Sequence, residues 1–322
     1  MTKSLLLLFA VFLTRTLTAQ EKIFQFSGSP IVTLFANVHT GIGSANEEAG
    51  FELERSYLGY AFRVTKELSG KVIFDIGPSK VEGSDLERIA YVKNAMLSWQ
   101  TGNLTLDFGL IPLVQFNIQE KFWGYRYIRK SFQDEYKFNS SADMGVIGKY
   151  KFTPWLSADL NFINGEGYKK INKDNHFRYG AGITLTPYKN LLFRIYGDRY
   201  NGNGGESKDQ YSAALFLGYR NKRFHAGAEY NRLFNAGFDD EQNRTGYSAY
   251  TSVNLSSKFT LFGRYDRLSS SHHDFPNDQQ FGLAGLQYSP NKYLRLSPNY
   301  QIKSPRTGEN ASYLYLNVYF NL

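Results

Sequence analysis

The feature that most constrains this chain is a two-residue hydrophobic rhythm that recurs sixteen times. Segments of about ten residues alternate apolar and polar side chains near 30–42, 50–64, 69–77, 88–100, 103–111, 143–152, 155–164, 177–187, 190–200, 209–220, 222–234, 245–255, 258–268, 279–289, 292–303 and 311–321. Period two is the strand period, because successive side chains of a strand point to opposite faces. The connections alternate as well. Short ones (65–68, 101–102, 153–154, 188–189, 221, 256–257, 290–291) interleave with long ones (43–49, 78–87, 112–142, 165–176, 201–208, 235–244, 269–278, 304–310). A soluble sandwich has no reason to keep such a two-stroke pattern. A transmembrane barrel does, since its periplasmic turns are short and its extracellular loops long. The predicted fold is all-β: an antiparallel up-and-down β-barrel of sixteen strands, with both chain ends on the short-turn side.

The aromatic content agrees. With 26 Phe and 24 Tyr the chain is rich in rings, yet polar on average. Strands that turn apolar residues to lipid and polar ones to water give that balance, with aromatic girdles at both interfaces. Phe62, Trp99, Tyr150, Phe152, Trp155, Tyr188, Phe193, Tyr219, Phe224, Phe259, Tyr288, Tyr293 and Phe320 all fall near short turns, as a periplasmic girdle would. Residues 1–19 read as a secretory signal: Lys3, then the apolar run 5–13, too short to span a bilayer, then Ala19 before the cut. Removing them takes away Lys3 and Arg15 and no acids, so the formal charge falls from +8 to +6. The absence of cysteine excludes disulfides and thiolate metal sites and suits an exported chain. The remaining 20–322 read as one barrel domain. The last strand alternates Leu314, Leu316, Val318, Phe320 and Leu322 against Tyr313, Tyr315, Asn317 and Tyr319, a pattern like the sorting signal read by barrel-assembly machinery. The expected location is the outer membrane of a Gram-negative cell, with outer-membrane lipid around the wall.

Charge fixes the facing of each strand. Arg or Lys on the lipid side at mid-depth costs about 2–4 kcal/mol, and a slip of one residue reverses every face. The apolar phase is therefore taken outward. Inward then point Arg55, Tyr57 and Arg63; Lys71 and Asp75; Arg178 and Thr184; Arg194, Tyr196 and Asp198; His225, Glu229 and Asn231; Arg264 and Asp266; and Arg295, Asn299, Gln301 and Lys303. Sixteen strands enclose a lumen too wide for wall side chains to fill.

One interval breaks the rhythm. Residues 112–142 hold Trp123, Tyr125, Tyr127, Phe132, Tyr136 and Phe138, too many rings for disorder. Lys121, Arg126, Arg129, Lys130 and Lys137 concentrate there too, with Glu120, Asp134 and Glu135 available as partners. The segment is expected to fold back into the barrel and narrow it. Lys121, Tyr125, Arg126, Arg129 and Lys130 are the candidate constriction, and Arg63, Lys71, Asp75, Arg178, Arg194, Arg264 and Arg295 the candidate wall lining. Two roles are open for Arg126, Arg129 and Lys130: a cationic rung that favours small anionic solutes, or salt bridges to wall carboxylates such as Asp75, Asp107 or Asp143.

Several stretches carry a family resemblance. FELERSYLGY (51–60), SGKVIFDIG (69–77), YVKNAMLSW (91–99), LTLDFGLIPLVQF (104–116), EKFWGYRYIRKSF (120–132), SSADMGV (140–146), GRYDRL (263–268) and SPNYQ (297–301) resemble the phosphate-selective porin O and P family, especially Bacteroidota-like members. The resemblance spans most of the chain. It implies a sixteen-stranded outer-membrane porin, a homotrimer, an inserted third loop, and passage of anions or phosphate without bond-making chemistry.

Other chemistry finds little support. None of His39, His176, His225, His272 and His273 has metal-ligand spacing, and FDDEQN (238–243) lacks the glycine and ligand periodicity of a calcium loop. NGNGGES (201–207) is not followed by the Lys-Ser/Thr and helix of a phosphate loop. No cofactor, catalytic group or nucleic-acid partner is expected. Two alternatives stand beside the channel: a barrel enzyme or plugged structural barrel, with a Ser–His pair at His39 or His225, and a soluble exported β-protein that binds glycans through its rings.

Overall fold

The computed structural model describes residues 26–79, 87–170, 175–202, 204, 207–271 and 278–322. The expected signal at 1–19 and the pair His272–His273 lie outside these. Sixteen strands follow in order: β1 (Ser27–Gly43), β2 (Ala49–Arg63), β3 (Leu68–Pro78), β4 (Arg88–Thr101), β5 (Leu104–Pro112), β6 (Ala142–Thr153), β7 (Leu156–Ile163), β8 (Arg178–Tyr188), β9 (Leu191–Tyr200), β10 (Gln210–Arg220), β11 (Phe224–Phe234), β12 (Arg244–Asn254), β13 (Phe259–Ser270), β14 (Gln279–Tyr288), β15 (Leu294–Pro305) and β16 (Ala311–Asn321). Each pairs antiparallel with the next, and β16 returns to β1 through a register that runs from Thr33↔Asn321 to Gly43↔Ala311. Closure leaves no strand edge, so every strand has a hydrogen-bonding neighbour on both sides.

The outer face is apolar where the alternation placed it. Leu58, Phe74, Leu97, Leu160, Ile183, Ile195, Leu215, Leu217 and Leu261 are exposed along the wall. Near the short turns Trp99, Tyr150, Phe152, Trp155, Tyr188, Tyr219, Phe224, Phe259 and Tyr293 are exposed as well. Among the described residues no helix is long and apolar enough to cross a membrane; the crossing elements are strands.

The register shifts at four strand pairs, two of them next to short turns (β6–β7 and β8–β9) and two within the wall. The β1–β2 register jumps between Phe35 and Ala36, which skips Glu54, and the β3–β4 register jumps between Ile73 and Phe74, which skips Lys93. A bulge adds one residue to one strand, so two neighbours share a face. Glu54 and Arg55 both face the interior, as do Lys93 and Asn94.

Ile195 lies on the lipid face between Ile183 and Leu215. Ile195→Arg is expected to lower unfolding free energy in lipid vesicles by about 2–4 kcal/mol, read as a lower denaturant midpoint.

Candidate constriction inside the barrel

Between β5 and β6 the chain turns into the lumen. Helix α1 (Val114–Trp123) begins after Pro112 and ends at Gly124, whose left-handed backbone (φ 75°) closes the helix through an amide bond to the Glu120 carbonyl. Gln115, Phe116, Gln119 and Trp123 form its buried side, at the i, i+4 spacing of one helical face. A four-residue turn, α2 (Phe132–Glu135), follows. The segment is partly helical, with its aromatics turned to the wall.

The fastening is dense, and most of its polar contacts fall on one side, although Phe116 also packs on Ile147 of β6 and Ile163 of β7. The Arg194 Nε donates to Gln115 at 2.8 Å. The Tyr127 hydroxyl meets Ser297 at 2.7 Å and donates to Gln287 at 3.1 Å. Arg264 donates to the Lys130 carbonyl at 2.7 Å, Gln133 to Asn231 at 2.6 Å, and Asn139 to Asp198 at 3.1 Å. Tyr125 stacks on Phe262 at 4.4 Å, and Trp123 lies beneath the Arg264 guanidinium at 5.0 Å. Phe132 and Phe138 pack with Leu233 and Leu268. Ile147 and Ile163 aside, these wall partners belong to β9 through β16. Removing such a ring from water stabilises by about 1.5–3 kcal/mol. Two wall glycines make the seats: a Cβ on Gly218 would collide with the Phe122 ring, and one on Gly246 with the Phe132 ring.

The buried wall arginines are neutralised where they stand. Arg194, fully buried, holds Asp159 through two bonds of 2.6 and 3.0 Å. Arg264 grips Asp266 at 2.8 and 2.9 Å. Arg178 lies 3.6 Å from Asp198, and Asp75 accepts from Arg55 at 2.6 Å and from the Tyr168 hydroxyl at 2.7 Å. Of the candidate wall lining, then, Arg178, Arg194, Arg264 and Asp75 sit in buried pairs. Arg63 is exposed at the short-turn end, Lys71 is half-buried, and Arg295 lies over the Tyr319 ring at 4.9 Å.

In the segment itself Arg126 lies 3.2 Å from Glu120 and 3.5 Å from Asp134. Arg129 lies 3.5 Å from Glu135 and 3.9 Å from Asp266, with its guanidinium 3.6 Å above the Phe281 ring. The wall carboxylates expected to pair with these arginines are engaged elsewhere. Asp75 holds Arg55, Asp107 holds Lys149, and Asp143 accepts from the amides of Gly165 and Gly167. Asp266 is the wall carboxylate that lies within ion-pair distance of a segment arginine. Lys121 is exposed and Lys130 half-buried, and neither has an ion-pair partner among the described residues. Burial opposes charge on Arg126, but Tyr57, Asp134, Glu120 and Glu54 reverse this and hold its pKa well above the usual arginine value. Burial pushes the Tyr125 phenol up to about 12 and raises Tyr127 and Tyr136 as well.

Cavities remain between the segment and the opposite arc of wall. One of about 290 Å³ lies toward the long loops, lined by Glu52, Glu54, Lys130, Gln301 and Tyr315. A second of about 230 Å³ lies toward the short turns, lined by Phe35, Tyr57, Lys121, Arg126 and Tyr319. Further along, Arg63, Lys71 and Ser98 border a third of about 470 Å³. Lys93, raised by its bulge and absent from the sequence-derived candidates, lies 3.1 Å from the Tyr57 hydroxyl and over its ring at 4.4 Å. Nothing in simple alternation marks it.

Among the described residues, His39 and His225 do not assemble a catalytic group. His225 lies 3.5 Å from the Ser252 hydroxyl, but its other nitrogen meets Arg220 at 3.1 Å. A triad needs a carboxylate at that position to stabilise the imidazolium. His39 pairs with Asn37 and stacks on Tyr315.

Solved structures share this architecture. OmpT of Vibrio cholerae superposes with a TM-score of 0.65 at 12% identity, over 94% of this chain and 100% of its own. The outer-membrane channel DcaP of Acinetobacter baumannii gives 0.67 at 11%, over 95% and 100%. An anion-selective porin from Comamonas acidovorans gives 0.68 at 10%, over 92% and 100%. No family model matches the sequence. No curated protein matches it either. Likeness at these identities establishes the fold, which is that of outer-membrane porins; the phosphate-selective family stays a resemblance of motifs. A closed barrel with this apolar belt is an outer-membrane barrel of a Gram-negative cell.

Arg194→Met leaves Asp159 buried without its partner and is expected to cost about 3–5 kcal/mol, measured by denaturant unfolding; replacing Asp159 by Leu as well restores most of it. The raised Tyr125 pKa predicts an alkaline limit. Its stabilising contribution is complete below pH about 10 and is lost as pH rises through about 12. Tyrosinate absorbance of Tyr125→Phe against the parent protein checks this.

Proposed function

We propose that this protein is an outer-membrane porin through which small hydrophilic solutes diffuse passively, with a bias toward anions. The carrying observation is the set of cavities beside the inserted segment, two of them along β16, β1 and β2 and another of about 360 Å³ toward β5 to β8. Charge around these cavities is uneven. Toward the long loops Glu52, Glu54 and Glu135 outnumber Arg129 and Lys130 by one. Toward the short turns Arg126, Lys121, Lys93, Lys71 and Arg63 outnumber Glu120, because Asp75 and Asp107 are already spent on Arg55 and Lys149. Lys71 is surrounded by Lys121, Lys93 and Lys149, with Asp107 the opposing charge. Low-dielectric walls focus such a field and concentrate counter-ions. The anion-selective porin among the structural neighbours and the motif resemblance support the same bias, and phosphate is the specific solute the resemblance points to. The trimer form of Vibrio cholerae OmpT supports a homotrimer for this chain too. Diffusion needs no bond-making step, so the role is non-enzymatic.

A second reading has its own support. The dense fastening of the segment fits a plugged structural barrel. Planar-bilayer recording separates the two. The channel reading expects stable conductance steps and, in a KCl gradient, an anion-biased reversal potential. Replacing Lys71, Lys93 and Lys121 together by Gln is expected to move that potential toward the cation limit by tens of millivolts. A silent protein would favour the plug, and an unmoved potential would remove these lysines from selectivity. Competition of phosphate against chloride tests the specific solute.

A further inference from the structure

We propose that the cavity on the short-turn side of the inserted segment binds solutes that combine one ring with one anionic group, as an aromatic carboxylate does. This rests on the channel reading and narrows it to a solute class. The cavity is walled by rings. Phe35 meets Tyr57 edge-on at 5.5 Å and Tyr319 at 5.7 Å, and Tyr127 lies 5.0 Å from Tyr319. The Tyr127 hydroxyl is tied to Ser297 and Gln287, and Lys93 holds the Tyr57 hydroxyl, so the rings are fixed in place with their polar tips occupied. Lys93 also lies over the Tyr57 ring and Arg295 over the Tyr319 ring. These cations polarise the rings and add positive potential around the cavity, which suits a negatively charged aromatic.

The second observation is Arg126. It lines the cavity at 8% exposure, and its Nε and Nη1 are buried without a hydrogen-bond acceptor from the protein. Glu120 lies 3.2 Å from Nε, outside hydrogen-bonding geometry. A buried guanidinium donor left unmatched is costly. A carboxylate is the group whose planar oxygens fit it. Lys121, exposed on the rim, adds a second cation. A small inorganic anion would satisfy Arg126 but gain nothing from four aromatic side chains. A neutral ring would use the rings and leave the guanidinium unmet. At about 230 Å³ the space is below the roughly 300–1,000 Å³ of drug-sized pockets, which limits the solute to a single ring.

The test uses the full chain in planar bilayers, with benzoate, benzamide, acetate and glucuronate added in turn, and calorimetric titration of the same solutes in detergent. Benzoate is expected to reduce single-channel current saturably, at a half-blocking concentration at least tenfold below those of acetate and benzamide. Arg126→Gln should raise it at least tenfold. Since Arg126 also pairs within the segment, Lys121→Gln is the companion variant: its exposed side chain anchors nothing, and a rise of about threefold is expected. A barrel that conducts but binds benzoate no tighter than acetate would overturn the site and leave the channel. One that binds benzoate without conducting would overturn the channel and keep the site. Tighter binding of glucuronate than benzoate would overturn the assigned solute class.

Discussion

The structure depends first on the fact that hydrocarbon offers no hydrogen bonds. Every strand must be paired on both sides, and the return of β16 onto β1 completes that requirement. Once the wall is closed, its two faces meet different solvents. Lipid outside selects the apolar phase of each strand, and the polar phase is left to an enclosed aqueous space. Charged side chains gather there because the alternative face is far more expensive. Arg178 of β8, Arg194 of β9 and Arg264 of β13 lie in the lumen, each against an aspartate.

That aqueous interior explains how a segment without regular strand structure is held. Its rings leave water by packing on inward faces of the wall, chiefly those of β10 to β14 but also Phe35 of β1 and, through Phe116, β6 and β7, so the hydrophobic effect works inside the barrel although not against lipid. Polar contacts then set position. Arg194 and Arg264 each satisfy an aspartate and also reach the segment, through Gln115 and the Lys130 carbonyl. The pairs that neutralise the wall also locate what lies against it.

Much of this was legible in the sequence. Period two and the alternating connections carried the strand number and order, and the cost of charge in lipid carried the facing of Arg194, Arg264 and Asp266. The bulges were not legible, because a single skipped residue inside an apolar run looks like noise; Glu54 and Lys93 reach the lumen only through them. The acids beside the segment arginines were visible as possible partners, and Glu120, Asp134 and Glu135 do lie against Arg126 and Arg129. A stretch with no period gives no register, so the sequence could not choose between them and the wall acids Asp75, Asp107 and Asp143. Several wall glycines have reasons that only the folded chain reveals. Gly218 and Gly246 are seats for Phe122 and Phe132, and Gly182 lies under the Arg194 guanidinium. Each reason resides in a residue far away in the chain.

The fastening is heaviest on one side of the circumference. Strands from β9 onward carry most of the hydrogen bonds that locate the segment, while Arg63 of β2 and Lys71 of β3 form no ion pair among the described residues. Substitution at those two positions leaves the bonds that anchor the segment untouched, so the charge of the lumen is separable from the frame that surrounds it.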